Sequence, residues 1–320
     1  MRVLLTHKPG GAYGYISESW LNTLRSAKIN AMRWNGSPES WHAYDPDLYI
    51  GCSGHRQPIP KSRTKIAIHV NPCGQKDLGQ INESNESIKW TISQNPNVVF
   101  GYGFEKDRDY WSYWESKYGI KWVPMANAAD ITLFNKKYEN NKKYDIVYVG
   151  GKWAYKSKSI DAYLLPLLTG GTLTYKLYGW GEWSHNHCSG GITDNDVPNF
   201  LSSGSVGPCI SEPHTHQYGI DVPERVFKII MSGTVAVHDN TQSLADQIPS
   251  LLIARNPAEF SDMCHYWANM PPDHIQKKSD EQRKDVLSAH TYAHRLANLF
   301  NALGFTDEAK ALLDTVPIVQ

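Results

Sequence analysis

Residues 221–237 read Asp221-Val-Pro-Glu-Arg-Val-Phe-Lys-Ile-Ile-Met-Ser-Gly-Thr-Val-Ala-Val237. The order of residue types predicts a helix that stops at a glycine and feeds directly into a strand. Asp221 is of the type that caps the first amides, Pro223 fits a first turn, and Glu224 stands where a capping box takes a carboxylate. Gly233 supplies the left-handed residue that ends the helix. Arg225, Lys228 and Ser232 recur at helical spacing on one side, while Val226, Phe227, Ile229 and Ile230 cover the rest. A helix start favours an anion through its free amides and its macrodipole, so a cationic stripe that begins there suits a phosphate. The same pattern also describes an ordinary amphipathic helix with a solvated basic face. Context decides between the two.

Some 75 residues upstream, Tyr144-Asp-Ile-Val-Tyr-Val-Gly-Gly-Lys152 is an apolar run of strand length that ends in two glycines. Lys152, Lys156 and Lys158 follow, ahead of an apolar helical stretch around Ile160 to Leu168. Glycines after a strand let phosphates approach the backbone, and lysines add point charge. Two such junctions in one half of the chain predict a diphosphate held between a glycine loop and a helix start.

Strands alternate with helices throughout, which predicts α/β units with parallel sheets. In the first half the strand candidates are Arg2 to Thr6, Leu48 to Gly51, Lys65 to Val70, Ile88 to Ser93 and Val98 to Phe100. Ser17 or Ser19 opens a helix running to Lys28, and Arg108 to Tyr118 reads as helical. A strand running into a linker over Lys121 to Asp130 places the domain boundary. Further strands are expected at Asp145 to Val149, Leu173 to Tyr178, Val206 to Ile210, Thr234 to Val237 and Leu251 to Ala254. Asn256-Pro-Ala-Glu259 opens a helix to about Trp267, His290 to Leu303 forms another, and Thr306 caps a short last one.

The 320 residues carry 32 basic and 32 acidic side chains, so no global field points to a nucleic acid or a membrane surface. Local basic clusters at 61–65, 136–143 and 277–284 read as solvated faces. Abundant tryptophan and tyrosine fit carbohydrate or nucleobase stacking and equally fit core packing. Cys52, Cys73, Cys188, Cys209 and Cys264 are odd in number and lack paired zinc spacing, as in a reduced, cytoplasmic protein. The apolar run at the start is too short for a signal peptide, and no segment approaches membrane-span length.

The order of motifs in the second half resembles the glycosyltransferases of the GT-B fold. It runs through Gly150-Gly151, Leu177-Tyr-Gly-Trp-Gly181, Pro223-Glu-Arg-Val-Phe227, Ser232 to Val237, Asn256 to Phe260 and His290-Thr-Tyr-Ala-His-Arg295. The series is similar to the CgeB-like (spore maturation) group over roughly residues 120 to 300. Shorter matches at Asp145 to Gly151, Arg225 to Phe227, Ser17-Glu18, Tyr44 to Leu48 and Lys65-Ile66 are similar to the T-even phage DNA β-glucosyltransferases. The resemblance implies two Rossmann-like domains with parallel sheets facing across a cleft. Residues 1–125 would take the acceptor and 126–288 the nucleotide sugar, with helices of 289–320 packing back toward the first domain. It also implies an enzyme in the cytoplasm of a bacterial or virus-infected cell, with a UDP-linked sugar as co-substrate and no obligatory cofactor. A hydroxymethylated DNA base or a surface glycan would be the acceptor. A non-catalytic sugar-nucleotide binder or a sugar-nucleotide epimerase on the same scaffold is the alternative.

Glycosyl transfer requires the leaving diphosphate to be neutralised and an acceptor hydroxyl to be positioned and deprotonated. Arg225 with Lys152 or Lys156 are the candidates for the first task, with Lys228 as a further cation. Gly11, Gly150 and Gly151 would let the donor approach, and Tyr178 and Gly179 resemble the loop that faces the nucleobase in the family. Glu18, with His69 ranked below it, is the candidate base. Relatives carry a ribose-binding glutamate where this chain has Lys228. The pairs His185/His187, His214/His216 and His290/His294 have chelate-like spacing, yet no glutamate completes a zincin pattern and no metal is expected.

Overall fold

Short apolar runs build the first sheet. In the computed structural model, β1 (Arg2–Leu5), β2 (Asn30–Arg33), β3 (Leu48–Cys52) and β4 (Lys65–His69) are followed by a small antiparallel pair, β5 (Gln75–Lys76) and β6 (Gln80–Ile81), and then by β7 (Val98–Gly101) and β8 (Lys121–Pro124). The six larger strands lie parallel in the order β2-β1-β3-β4-β7-β8. Every residue of β3 and β7 is buried, which suits parallel strands covered on both faces. The structure describes residues 1–320 except 7–10, 55, 61, 71–74, 77–79, 82–85, 139–141, 185, 221, 240, 242–243 and 319–320.

The helices of this half are α1 (Gly11–Ser26), α2 (Pro38–Tyr44), α3 (Glu86–Ser93), α4 (Arg108–Trp111) and α5 (Tyr113–Tyr118). Two expectations fail here. The stretch from Ile88 to Ser93 is helix, with Ile88 and Thr91 buried three residues apart on one side. Neither Ser17 nor Ser19 opens α1: both lie inside it and donate back to the carbonyls of Gly14 and Tyr15 at 3.2 Å. Aromatic rings fill the space beneath the sheet, with Trp111 stacked on Trp122 and Trp34 edge-on to Trp41 and Tyr49.

The second sheet is β9 (Tyr144–Val149), β10 (Tyr175–Tyr178), β11 (Gly204–Cys209), β12 (Val235–His238) and β13 (Leu252–Ile253), all parallel in the order β10-β9-β11-β12-β13. Its helices are α6 (Ala154–Ser159), α7 (Leu165–Thr169), α8 (Val197–Leu201), α9 (Pro213–Tyr218), α10 (Arg225–Met231), α11 (Pro257–Ala268) and α12 (Pro272–Ala289). A π turn over Ile160–Leu164 joins α6 to α7 just ahead of Pro166, whose missing N–H leaves an ordinary helical ladder broken there. Asn256 caps α11 by accepting from Glu259 N at 3.0 Å.

The chain then returns. Helices α13 (Tyr292–Ala302) and α14 (Thr306–Leu313) belong with residues 1–127, giving one unit of 1–127 plus 291–317, while 128–290 form the core of the other. α13 packs on α1 and β8, and Thr291 caps it. Arg295 on α13 is buried, donates from Nε to Ala126 O at 3.0 Å and lies over the Phe104 ring, and burial lowers its guanidinium to about 10.

The second unit is closed by a side chain acting as a strand partner. Gln282 of α12, fully buried, accepts from Ala236 N at 2.9 Å and donates to Ala236 O at 3.0 Å on β12. Gln282→Leu would leave both backbone groups of Ala236 without these bonds, so the unfolding free energy should fall by about 2–4 kcal/mol. Urea unfolding followed by circular dichroism measures it, and an unchanged midpoint would show that the two bonds contribute nothing net.

Candidate functional site

The order of the second sheet reverses direction between β9 and β11, the place where open α/β sheets form a crevice at their carboxyl ends. Arg225 occupies this place. It is the first residue of α10, its Nε donates to Val149 O at 2.6 Å and its Nη1 to Ile210 O at 3.1 Å. The guanidinium lies 4.6 Å from the centre of the buried Tyr148 ring, and that phenol is pushed up to about 12 chiefly by burial. Gly150 is required here, since a β-carbon at this position would run into the guanidinium.

The predicted stripe on α10 divides. Asp221 lies outside the described residues, and Glu224 precedes the helix without forming a capping box. Its carboxylate takes Lys228 Nζ at 2.6 Å instead, and burial raises it above the usual range against the pull of Lys228. Ser232 is buried and bonds back to Lys228 O. Gly233 has φ +78°, the left-handed end predicted for it.

Lysines 152 and 156 are likewise matched to acids. Lys152 Nζ meets Asp161 of the π turn at 2.6 Å. Lys156 is 2% exposed, pairs with Glu212 at 3.2 Å and lies 5.4 Å from the Trp153 ring. Burial, reinforced by Arg225 and opposed by Glu212, lowers its ammonium to about 8. Among the described residues, Arg225 is the predicted phosphate cation that has no carboxylate partner.

Gly151 faces the Trp180 ring, which stacks on Trp153 at 5.2 Å with the planes 1° apart, and Trp180 is 64% exposed. Gly179 runs so close to Gly150 O that no side chain fits there. Tyr178 points elsewhere, edge-on to Phe200, into a cavity of 510 Å³ also lined by Lys143, Tyr144, Thr193 and Asp196. Neither Arg225 nor Lys156 lines that cavity.

In the first unit, Gly11 is the first residue of α1. Glu18 is 35% exposed and takes Arg33 Nη2 at 2.8 Å, while Arg33 also donates to Thr6 O and Ser17 Oγ. His69 is buried among the rings of Tyr13, Trp20, Phe100 and Tyr102, and burial alone lowers its imidazole to about 3, leaving it neutral.

The histidine pairs are engaged separately. His187 meets Tyr175, His214 meets Tyr155, His216 meets Asp239, and His290 meets Gln247 O, while His294 caps α13 with Thr291; His185 lies outside the described residues. Asp239, just past β12, went unrecognised in the sequence, as did Glu212, just past β11. Each follows a strand's carboxyl end, and that position was the available signal.

Lys156 gives the site a stability signature. Below about pH 8 it is charged in both folded and unfolded chains, and its burial cost is fully present. Between about 8 and 10.5 the unfolded chain retains a proton that the folded chain has released, so stability rises with pH. Relative to Lys156→Met, the wild type should therefore gain on the order of 3 kcal/mol across that window. Urea melts of both proteins at several pH values check this, and parallel curves would contradict it.

Comparison with known proteins agrees with the fold. Residues 156–301, somewhat under half of the chain, match the family model described as glycosyl transferase-like. No curated protein sequence matches the chain. Among solved structures, T4 phage β-glucosyltransferase in complex with UDP and Mn2+ is similar at a TM-score of 0.61 and 10% identity, covering 97% of this chain and 99% of that one. Sucrose-phosphate synthase from Thermosynechococcus elongatus gives 0.62 and 11% over 95% and 99%. An α,α-trehalose 6-phosphate synthase from Burkholderia multivorans gives 0.52 and 10% over 96% and 77%. The chain thus has the GT-B fold of two parallel-sheet, Rossmann-like units, and residues 156–301 match the glycosyl transferase-like family.

Proposed function

We propose that this protein transfers a sugar from a nucleotide diphosphate donor, UDP-linked, to an acceptor hydroxyl. The observation that carries the reading is Arg225: a guanidinium fixed by two strand-end carbonyls at the switch point, with no carboxylate partner among the described residues. A fixed cation of this kind offers bidentate contact to a phosphate at little cost in ordering. Gly150 lets the guanidinium lie against the end of β9, and Lys156 adds a second cation in the field of Arg225. Solved structures of this fold at full length include one in complex with UDP-glucose, which supports the donor class.

Glu224 and Lys228 bear on the ribose. The position of the family's carboxylate holds a lysine, and a carboxylate one turn earlier lies against that lysine. In this reading Glu224 is the carboxylate that bears on the ribose, and Lys228 keeps it oriented. On the acceptor side, Glu18 is the base, being partly exposed where His69 is enclosed. Arg33 holds its carboxylate in place. By motif order the chain lies near the CgeB-like group, and its acceptor is a hydroxymethylated DNA base or a surface glycan.

Thermal-shift screening of nucleotide sugars, followed by nucleotide release with hydroxymethylated DNA and with glycans, tests the reading. Donor binding must raise the melting temperature. Arg225→Ala should weaken UDP binding by about 10- to 150-fold, the equivalent of about 1.5–3 kcal/mol for a charge-assisted bond. Calorimetry showing equal affinity in the variant would remove Arg225 from the site, and donor binding without release to any acceptor would leave a binding protein.

A further inference from the structure

Asp239 and His216 form a pair for which the reading above has no role. Asp239 is fully buried and accepts from Ser211 N at 2.6 Å, Ser211 Oγ at 2.8 Å and His216 Nε2 at 2.8 Å, with His238 Nδ1 at 3.0 Å. These contacts fix His216 by one nitrogen. Its ring is 24% exposed, and no described residue bonds its Nδ1. An imidazole tied at one edge to an interior carboxylate and open at the other is arranged to carry a proton.

The surroundings place this pair beside the proposed diphosphate site. Arg225 donates to Ile210 O, and the next residue, Ser211, donates its N–H to Asp239, so one short stretch of chain after β11 bonds both the guanidinium and the dyad; Lys156 pairs with Glu212 of the same stretch. The groups around His216 are Asp239 and His238 from the end of β12, Glu212 ahead of α9, Lys156 of α6 and Tyr163 of the π turn, whose ring is 5.8 Å away. His214 on α9 turns instead to Tyr155. Burial alone favours the neutral imidazole, but the bond and charge of Asp239 outweigh it and raise the tendency of His216 to stay protonated. Asp239, which burial alone would raise, is held well below the carboxylate range by His216 and His238.

Resting on the nucleotide-sugar reading, we propose that His216, positioned by Asp239, contacts the leaving diphosphate as an imidazolium and gives it a proton as the sugar departs. The bond between the sugar's anomeric carbon and the diphosphate oxygen breaks, its electron pair remaining on that oxygen. The acceptor oxygen bonds to the anomeric carbon and releases its proton to a base. The Nδ1 proton of His216 passes to the diphosphate, and the neutral ring regains a proton from water before the next turnover. Asp239 touches no substrate; it fixes which nitrogen faces outward.

Binding of UDP alone, measured by calorimetry from about pH 5.5 to 8.5, tests this without an acceptor. Wild-type affinity should fall roughly tenfold as pH rises through the imidazole range, because only the imidazolium adds charge to the phosphate site. His216→Gln should bind UDP with a profile that is flat until Lys156 begins to lose its proton near pH 8, at the affinity the wild type has once its imidazole is neutral, while Asp239→Asn should move the fall to lower pH. A His216→Gln protein that keeps the wild-type profile overturns the proposal. So does a fall confined to the region near pH 8 that disappears in Lys156→Met. Absence of UDP binding at every pH would overturn the donor reading itself, and the role of His216 with it. Matching melting curves of wild type and His216→Gln establish that a flat profile does not reflect unfolding.

Discussion

The second unit is organised around one guanidinium. Strands β9 and β11 end side by side at Val149 and Cys209, and the carbonyls of Val149 and of Ile210, one residue past β11, lie where the strand order reverses. Water would satisfy those carbonyls in an open crevice. Arg225 satisfies both of them from the start of α10, and in doing so fixes the helix, the glycine loop and the Tyr148 ring in one arrangement. The requirement for glycine at 150 follows from it, as does the electrostatic setting of Lys156. A cation that is bonded to neutral carbonyls keeps its full charge.

Around that cation the acidic residues are distributed with economy. Asp161, Glu212 and Glu224 each neutralise one lysine, so the local field is far less positive than a count of basic side chains suggests. The balance has a physical basis: an unpaired lysine as buried as Lys156 would lose its proton rather than keep its charge.

Much of this was legible in the chain. The junction of α10 with β12 was readable because Gly233 and the apolar run after it are local signals that tertiary contacts do not override. The alternation of strands with helices came through for the same reason. The stretch from Ile88 to Ser93 was misread because its isoleucines, threonine and tryptophan favour strands over so short a window, whereas burial of Ile88 and Thr91 on one side makes it a helix. Partner choice was less accessible still. Lys228 and Glu224 are one turn apart, so their pairing was within reach of sequence reasoning; Lys156 and Glu212, or His216 and Asp239, meet only because separate strand ends converge.

The return of the chain to its first unit has a consequence for biosynthesis. Helix α13 covers α1 and β8 but follows them only after residues 128–290 of the second unit, its Arg295 lying 169 residues beyond Ala126. On the ribosome, the amino-terminal sheet emerges early and must wait with Ala126 unmet and the α1 surface bare until Arg295 is made. Domains generally fold as units in order of synthesis. In this protein the second unit is complete in the nascent chain before the first can close, so the carboxyl-terminal half sets the moment at which the amino-terminal half becomes native.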